Sequence, residues 1–101
     1  MTVVRQILIS KRAAAQVQRR AAWWAENRPA APGAVAADFG EAVKLLAEQP
    51  GIGSKYEGTR TSGVRRLYLG RIEYFIYYKA DSRTLRVLAF WGASRGKQPV
   101  T

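Results

Sequence analysis

The spacing of apolar residues changes twice along the chain. Val3, Val4, Ile7, Leu8 and Ile9 are β-forming residues interrupted by Arg5 and Gln6, and they predict a strand over residues 3–10. From Lys11 to about Asn27 the period becomes helical: Ala13, Val17, Arg20 and Trp24, with Ala14 and Ala21, recur at spacings of three, four and seven. Ser10 is placed to cap this helix, and Asn27-Arg28-Pro29 stops it. The Trp23-Trp24 pair near its end is expected to anchor the helix on a sheet. After a turn over residues 29–33, Val35, Phe39, Ala42, Val43 and Leu46 give a second apolar stripe, predicting a helix over residues 34–49. The short connection makes the two helices an antiparallel hairpin. Pro50-Gly51-Ile52-Gly53 ends it, and a polar loop carrying Lys55, Tyr56 and Arg60 runs to Ser62. Three β-type runs then follow closely, over residues 63–69, 74–79 and 84–91, with turn-like breaks between them.

The predicted order is β-α-α-β-β-β. This is an α+β domain in which a helical hairpin packs on one face of a four-stranded, mainly antiparallel sheet whose last three strands form a meander. A chain of 101 residues forms one domain over 1–101, with about 92–101, lacking apolar period, as a flexible tail. Strand alternation puts Val64, Arg66 and Tyr68 on one face and Arg65, Leu67 and Leu69 on the other. Leu67 and Leu69 belong under the helices, so Arg66 projects from the opposite, solvent-exposed face.

Charge sharpens this picture. The net charge is +10, from 17 basic against 7 acidic residues. Twelve of the basic residues are arginine, whose planar fork suits phosphate and carboxylate. Such an excess favours anionic partners. The chain has no cysteine and no histidine, which removes disulfides, thiolate chemistry, and the commonest general base and metal ligand. Two Asp and five Glu are too scattered to suggest a metal site, and no cofactor motif is present. No apolar run reaches the length of a membrane span, and residues 1–10 lack the features of a signal peptide, so the expected location is cytoplasmic and away from membranes.

What remains is a cationic and phenolic set: Arg65, Arg66, Arg71, Tyr74, Tyr78, Lys79, Arg86, Arg95 and Lys97. Guanidinium groups can hold a phosphate and offset its transition-state charge, and a lysine or tyrosine of lowered pKa can move a proton. A metal-independent nuclease is chemically open. So is a solvated face or a partner interface, which the absence of any visible acid–base pair favours.

The element order, together with Trp23-Trp24, Asn27-Arg28-Pro29, Leu45-Leu46, Pro50-Gly51-x-Gly53, Val64-Arg65-Arg66-Leu67, Tyr74-x-x-x-Tyr78 and Val87-Leu88-x-x-Trp91, resembles the RelE/ParE superfamily of type II toxin–antitoxin toxins. The resemblance covers nearly the whole chain and implies a growth-arresting toxin neutralised by a cognate antitoxin with an acidic, partly disordered segment. RelE-like relatives cleave mRNA on the ribosome, whereas ParE-like relatives inhibit DNA gyrase and are not nucleases. The basicity and the Lys/Arg/Tyr set suit a ribosomal RNA site, giving the RelE-like mRNA endoribonuclease as the first reading. It would use Arg66, Arg95, Lys97 and Tyr78 in catalysis, with Arg65, Arg71, Tyr74, Lys79, Arg86 and Trp91 binding RNA or a partner. Phe75, where many nucleases carry arginine, and Trp91-Gly92, where many carry histidine, depart from that pattern. The Pro-Gly-x-Gly turn and long hairpin look similar to ParE-like members, and the gyrase inhibitor is the alternative. A nucleic-acid-binding module without toxicity is a further one.

Overall fold

The computed structural model describes residues 4–93. Strand β1 (Gln6–Ile9) is followed by helices α1 (Lys11–Asn27) and α2 (Ala34–Glu48), a 3-10 turn at Pro50–Ile52, and strands β2 (Ser54–Lys55), β3 (Arg65–Leu69), β4 (Tyr74–Ala80) and β5 (Thr84–Gly92). The expected α+β hairpin-on-sheet architecture is present, and the predicted loop adds the two-residue β2, making the sheet five-stranded in the order β1-β5-β4-β3-β2. β1 is parallel to β5, and the remaining pairs are antiparallel. β1 is shorter than the predicted run because α1 takes over its role. Ser10 caps α1, its Oγ accepting from the Ala13 amide at 3.0 Å, while the same hydroxyl donates to the Leu88 carbonyl at 3.0 Å. One turn and a half later, buried Gln16 accepts the Phe90 amide at 2.8 Å. Two polar side chains thus satisfy β5 beyond the end of its partner strand.

The core lies between the helical hairpin and one face of the sheet. Val35, Phe39, Val43 and Leu46 of α2 meet Ile76, Leu85, Val87 and Phe90, with Leu67 and Leu69 packed at the margin as alternation predicts. The register between β4 and β5 passes from Tyr77↔Ala89 to Tyr78↔Val87, so Leu88 is an extra residue on β5. This bulge resets the strand's alternation. Without it, Phe90 would point away from the helices that bury Leu85 and Val87. With it, Phe90 is fully buried and packs edge-on to Phe39, ring centres 5.5 Å apart. A second, smaller apolar group of Val64, Tyr77 and Ala89 occupies the face without helices, joined by Tyr56, Phe75, Leu88 and Trp91.

The tryptophan pair divides its labour. Trp24 is buried and donates its indole N–H to the Ala31 carbonyl at 2.8 Å, fixing the α1–α2 turn, whereas Trp23 remains 41% exposed. Gly92 closes β5 instead of opening the predicted tail, most of which lies outside the described residues. Among the described residues, no helix is long and apolar enough to cross a membrane.

Candidate functional site

The helix-free face of the sheet centres on Arg66. Alternation along β3 turns it away from Leu67 and Leu69, and the register sets it across from Tyr77. Its guanidinium lies 4.2 Å from the centre of the Phe75 ring and 5.1 Å from that of Tyr56, and Nη1 donates to the Tyr77 hydroxyl at 3.4 Å. Tyr56 reaches this face because its amide donates to the Val64 carbonyl at 2.8 Å, continuing the β2–β3 pairing. Its ring meets Tyr77 edge-on, centres 5.1 Å apart. Arg66 is therefore half-buried among rings instead of fully exposed as alternation alone suggested. Burial, and then Tyr77, push the Tyr56 phenol above its ordinary pKa, against a smaller opposing pull from Arg66. A phenol held protonated in this way is no general base at neutral pH.

Lys79 and Arg86 lie across from each other on β4 and β5, toward one end of the sheet. Arg86 is exposed between buried Leu85 and Val87, so it points to the same bare face as Arg66. Trp91, opposite Phe75, joins that face too. The structure thus places Arg66, Lys79, Arg86 and Trp91 on one face of the sheet, with Lys79 and Arg86 toward one end and Trp91 toward the other. It separates the others. Arg65 turns toward the 3-10 turn, where Nη1 donates to the Gly53 carbonyl at 2.6 Å. Arg71, in the β3–β4 turn, is bound by both carboxylate oxygens of Asp38 on α2. Tyr74 lies on the helix side, its ring centre 4.7 Å from that of Phe90. Arg95 and Lys97 lie outside the described residues.

Tyr78 is on the helix side of the sheet, fully buried in the main core. Its hydroxyl donates to the Pro50 carbonyl at 2.6 Å and accepts the Gly53 amide at 2.9 Å. Burial raises its pKa, partly opposed by the Gly53 hydrogen bond and by Arg65. The phenol stays neutral and ties the Pro-Gly-x-Gly turn to β4. That tie requires glycine: a Cβ at residue 53 would overlap the Tyr78 hydroxyl and the Arg66 carbonyl oxygen. The spacing Pro50-Gly51-x-Gly53 thus serves a close approach of backbone to side chain, beyond stopping a helix.

The arrangement suits binding better than proton transfer. Arg66 and Tyr78 project from opposite faces of the sheet, and both hydrogen-bonding capacities of the Tyr78 hydroxyl are occupied. No group of His, Cys, Asp or Glu able to hold a metal occurs among the described residues. Rings and an arginine on a bare sheet face offer an apolar, cationic platform. Arg66 is legible in the sequence as an outward arginine, but its wall of Tyr56, Phe75 and Tyr77 is not. Phe75 and Tyr77 alternate on β4, a signal that becomes readable only once the β3–β4 register is known.

Comparison with known proteins bears on these alternatives. A family model described as the ParE toxin of the type II toxin–antitoxin system parDE matches residues 7–96. Among solved structures, a chain of the chromosomal ParDE toxin–antitoxin system from P. aeruginosa is similar, with a TM-score of 0.73 at 18% identity, covering 92% of this chain and 100% of that one. At that identity the likeness shows a shared fold. No curated protein matches. The ParE-like alternative accordingly fits better than the RelE-like first reading, and mRNA interferase activity, ribosome binding and RNA binding gain no support. The match spans most of the chain, from β1 beyond the end of β5, and the chain belongs to the ParE toxin family of type II toxin–antitoxin systems.

Proposed function

We propose that this protein is a growth-arresting toxin that inhibits DNA gyrase by binding it, and that a cognate antitoxin neutralises it. The family match carries the toxin class. The observation favouring a non-nuclease is the separation of Arg66 from Tyr78: the guanidinium is held by rings on one face, and the phenol is committed to backbone groups on the other. A phosphate-cleaving site needs its charge-stabilising group and its proton-transfer group within reach of the same atom. Blocking a protein partner needs only well-placed aromatic and arginine anchors.

The antitoxin reading rests on charge and on an open edge. β2 pairs with Arg65 and Arg66, and among the described residues the rest of that edge of β3 has no neighbouring strand. Beside it, a groove of 310 Å³ runs between Ala42 and Leu45 of α2 and Leu67 and Leu69 of β3, with Asp38 and Glu41 of α2 on its wall, so apolar side chains of a partner suit its floor and acidic ones do not. An extended segment can pair with the free edge and place apolar side chains in the groove. Its acidic residues would lie near Arg65 or Arg66 on β3, whereas Arg86 stands two strands away on β5.

Induced expression in bacteria tests the function. Growth stops, a reporter plasmid loses negative supercoiling, and co-expression of the antitoxin encoded beside this gene restores both. Normal growth at confirmed soluble expression overturns the toxin reading. Arrest with supercoiling intact and mRNA cleaved returns the target to the ribosome.

A further inference from the structure

The charge of the helical hairpin is unevenly divided. α1 carries Lys11, Arg12, Arg19 and Arg20 against Glu26, and Arg28 caps its end, whereas α2 carries Asp38, Glu41 and Glu48 against Lys44. The C-terminal end of α1 adds aromatic surface to this cationic helix. The Arg20 guanidinium lies 4.4 Å from the centre of Trp23, 5.4 Å from Trp24 and 4.7 Å from Tyr74. Arg28 lies 5.3 Å from Trp23 and 5.7 Å from Trp24.

Neither arginine pairs with a carboxylate among the described residues, where the ion pair present is Arg71–Asp38. Arg20 donates to the Ile72 carbonyl at 3.2 Å, and its Nε is buried without a hydrogen-bond partner. The Arg28 guanidinium donates locally, to the Asn27 carbonyl at 3.0 Å. Stacking against rings holds the forks in place and strips part of their water before any partner arrives. Trp23 stands exposed beside them, although an indole at helical spacing could have been buried as Trp24 is.

We infer that Arg20, Trp23 and Arg28 form the surface by which the toxin docks on an acidic patch of its protein target, an inference that rests on the reading above that the target is a protein. The exposed Arg28 fork, held against an indole and without a carboxylate, fits a carboxylate side chain of a partner, with the half-buried Arg20 adding positive charge beside it, and tryptophan and arginine are the residues that dominate binding energy in protein interfaces. Nucleic acid fits less well, because two guanidinium groups already lie against the indole surface on which a base would stack. The patch is also set apart from Arg65, Lys79 and Arg86. Arg20 reaches Ile72 in the β3–β4 turn, whereas those three lie toward the opposite ends of the strands that this turn joins or neighbours.

Three variants test this: Trp23→Ser, Arg28→Glu and, as a control for net charge, Arg12→Glu, an exposed arginine at the other end of α1. Each is measured for growth arrest on induction, inhibition of purified gyrase, antitoxin affinity, binding of a single-stranded oligonucleotide and thermal melting. Trp23→Ser and Arg28→Glu are expected to require roughly thirtyfold more protein for half-inhibition and to release growth arrest, with antitoxin affinity, oligonucleotide binding and melting unchanged. Arg12→Glu is expected to behave as wild type. Full potency of Arg28→Glu overturns the inference, as do equal losses in Arg12→Glu, a parallel loss of antitoxin affinity, or a loss confined to oligonucleotide binding. A wild type that arrests growth without touching gyrase sinks the gyrase reading alone, and the growth comparison then decides the patch. A wild type that arrests nothing overturns both.

Discussion

The guanidinium of Arg66 lies 4.2 Å from the centre of the Phe75 ring, on the sheet face that the helices leave bare. At Phe75 the sheet thus sets a ring, not a second charge, beside Arg66. The pair holds the guanidinium by cation–π attraction and supplies no proton acceptor. Arg66→Ala is expected to destabilise the fold by only about 1 kcal/mol, read as a lower urea midpoint. A much larger loss would mean that Arg66 organises the second apolar group itself.

Tyr78 and Gly53 give a sharper structural test. Tyr78→Phe leaves the Gly53 amide and the Pro50 carbonyl without their buried partner, costing about 1–3 kcal/mol. Growth arrest should persist at a temperature where the variant is folded. Loss of arrest at unchanged thermal stability would give the hydroxyl a catalytic role and contradict this account.

The same residue sets an alkaline limit. The folded chain holds the Tyr78 phenolic proton to higher pH than an unfolded chain, where tyrosine titrates near its usual value of 10.0. Above that value the folded state binds more protons than the unfolded one, so stability is whole below about pH 10 and falls as pH rises further. Denaturation midpoints from pH 8 to 11 should decline in the wild type and decline less in Tyr78→Phe. Parallel curves would show that Tyr78 is not a source of the decline.

Gln16 tests the junction where α1 takes over from β1. Gln16→Leu removes the acceptor of the buried Phe90 amide and should cost about 1–3 kcal/mol, despite adding an apolar side chain to the interior. Hydrogen exchange would report it locally, through faster exchange at Phe90 than at Ile76. Unchanged stability would imply that the bulge relaxes to satisfy Phe90 elsewhere.

Charge is expected to govern encounter with the antitoxin. A chain of net charge +10 should capture an acidic segment by long-range attraction, so the association rate should fall steeply as salt rises while dissociation changes less. An association rate equal at low and high salt would remove electrostatic steering from the account.

The elements were legible because local rules and tertiary packing agree in them. Ser10 reads as a cap and is one, and Leu67 and Leu69 read as inward residues and pack beneath the helices. Two features were not legible. β2 rests on a pairing of Ser54 and Lys55 with Arg66 and Arg65, a tertiary choice with no period in two residues. The bulge at Leu88 reverses the facing of Phe90 through the register with Tyr77 and Tyr78. The site was half legible for the same reason. Arg66 is visible as an outward arginine, but its rings come from β4 and from the loop before β3, and Tyr78 is recognisable as structural only when Pro50 and Gly53 stand against its hydroxyl.

The most direct measurement sets two assays side by side with one preparation of purified wild-type protein: supercoiling of relaxed plasmid by DNA gyrase, and integrity of mRNA on a programmed ribosome. Supercoiling is expected to be inhibited and the antitoxin to relieve the inhibition, while the mRNA stays intact. Cleaved mRNA with unimpaired supercoiling would contradict the gyrase reading.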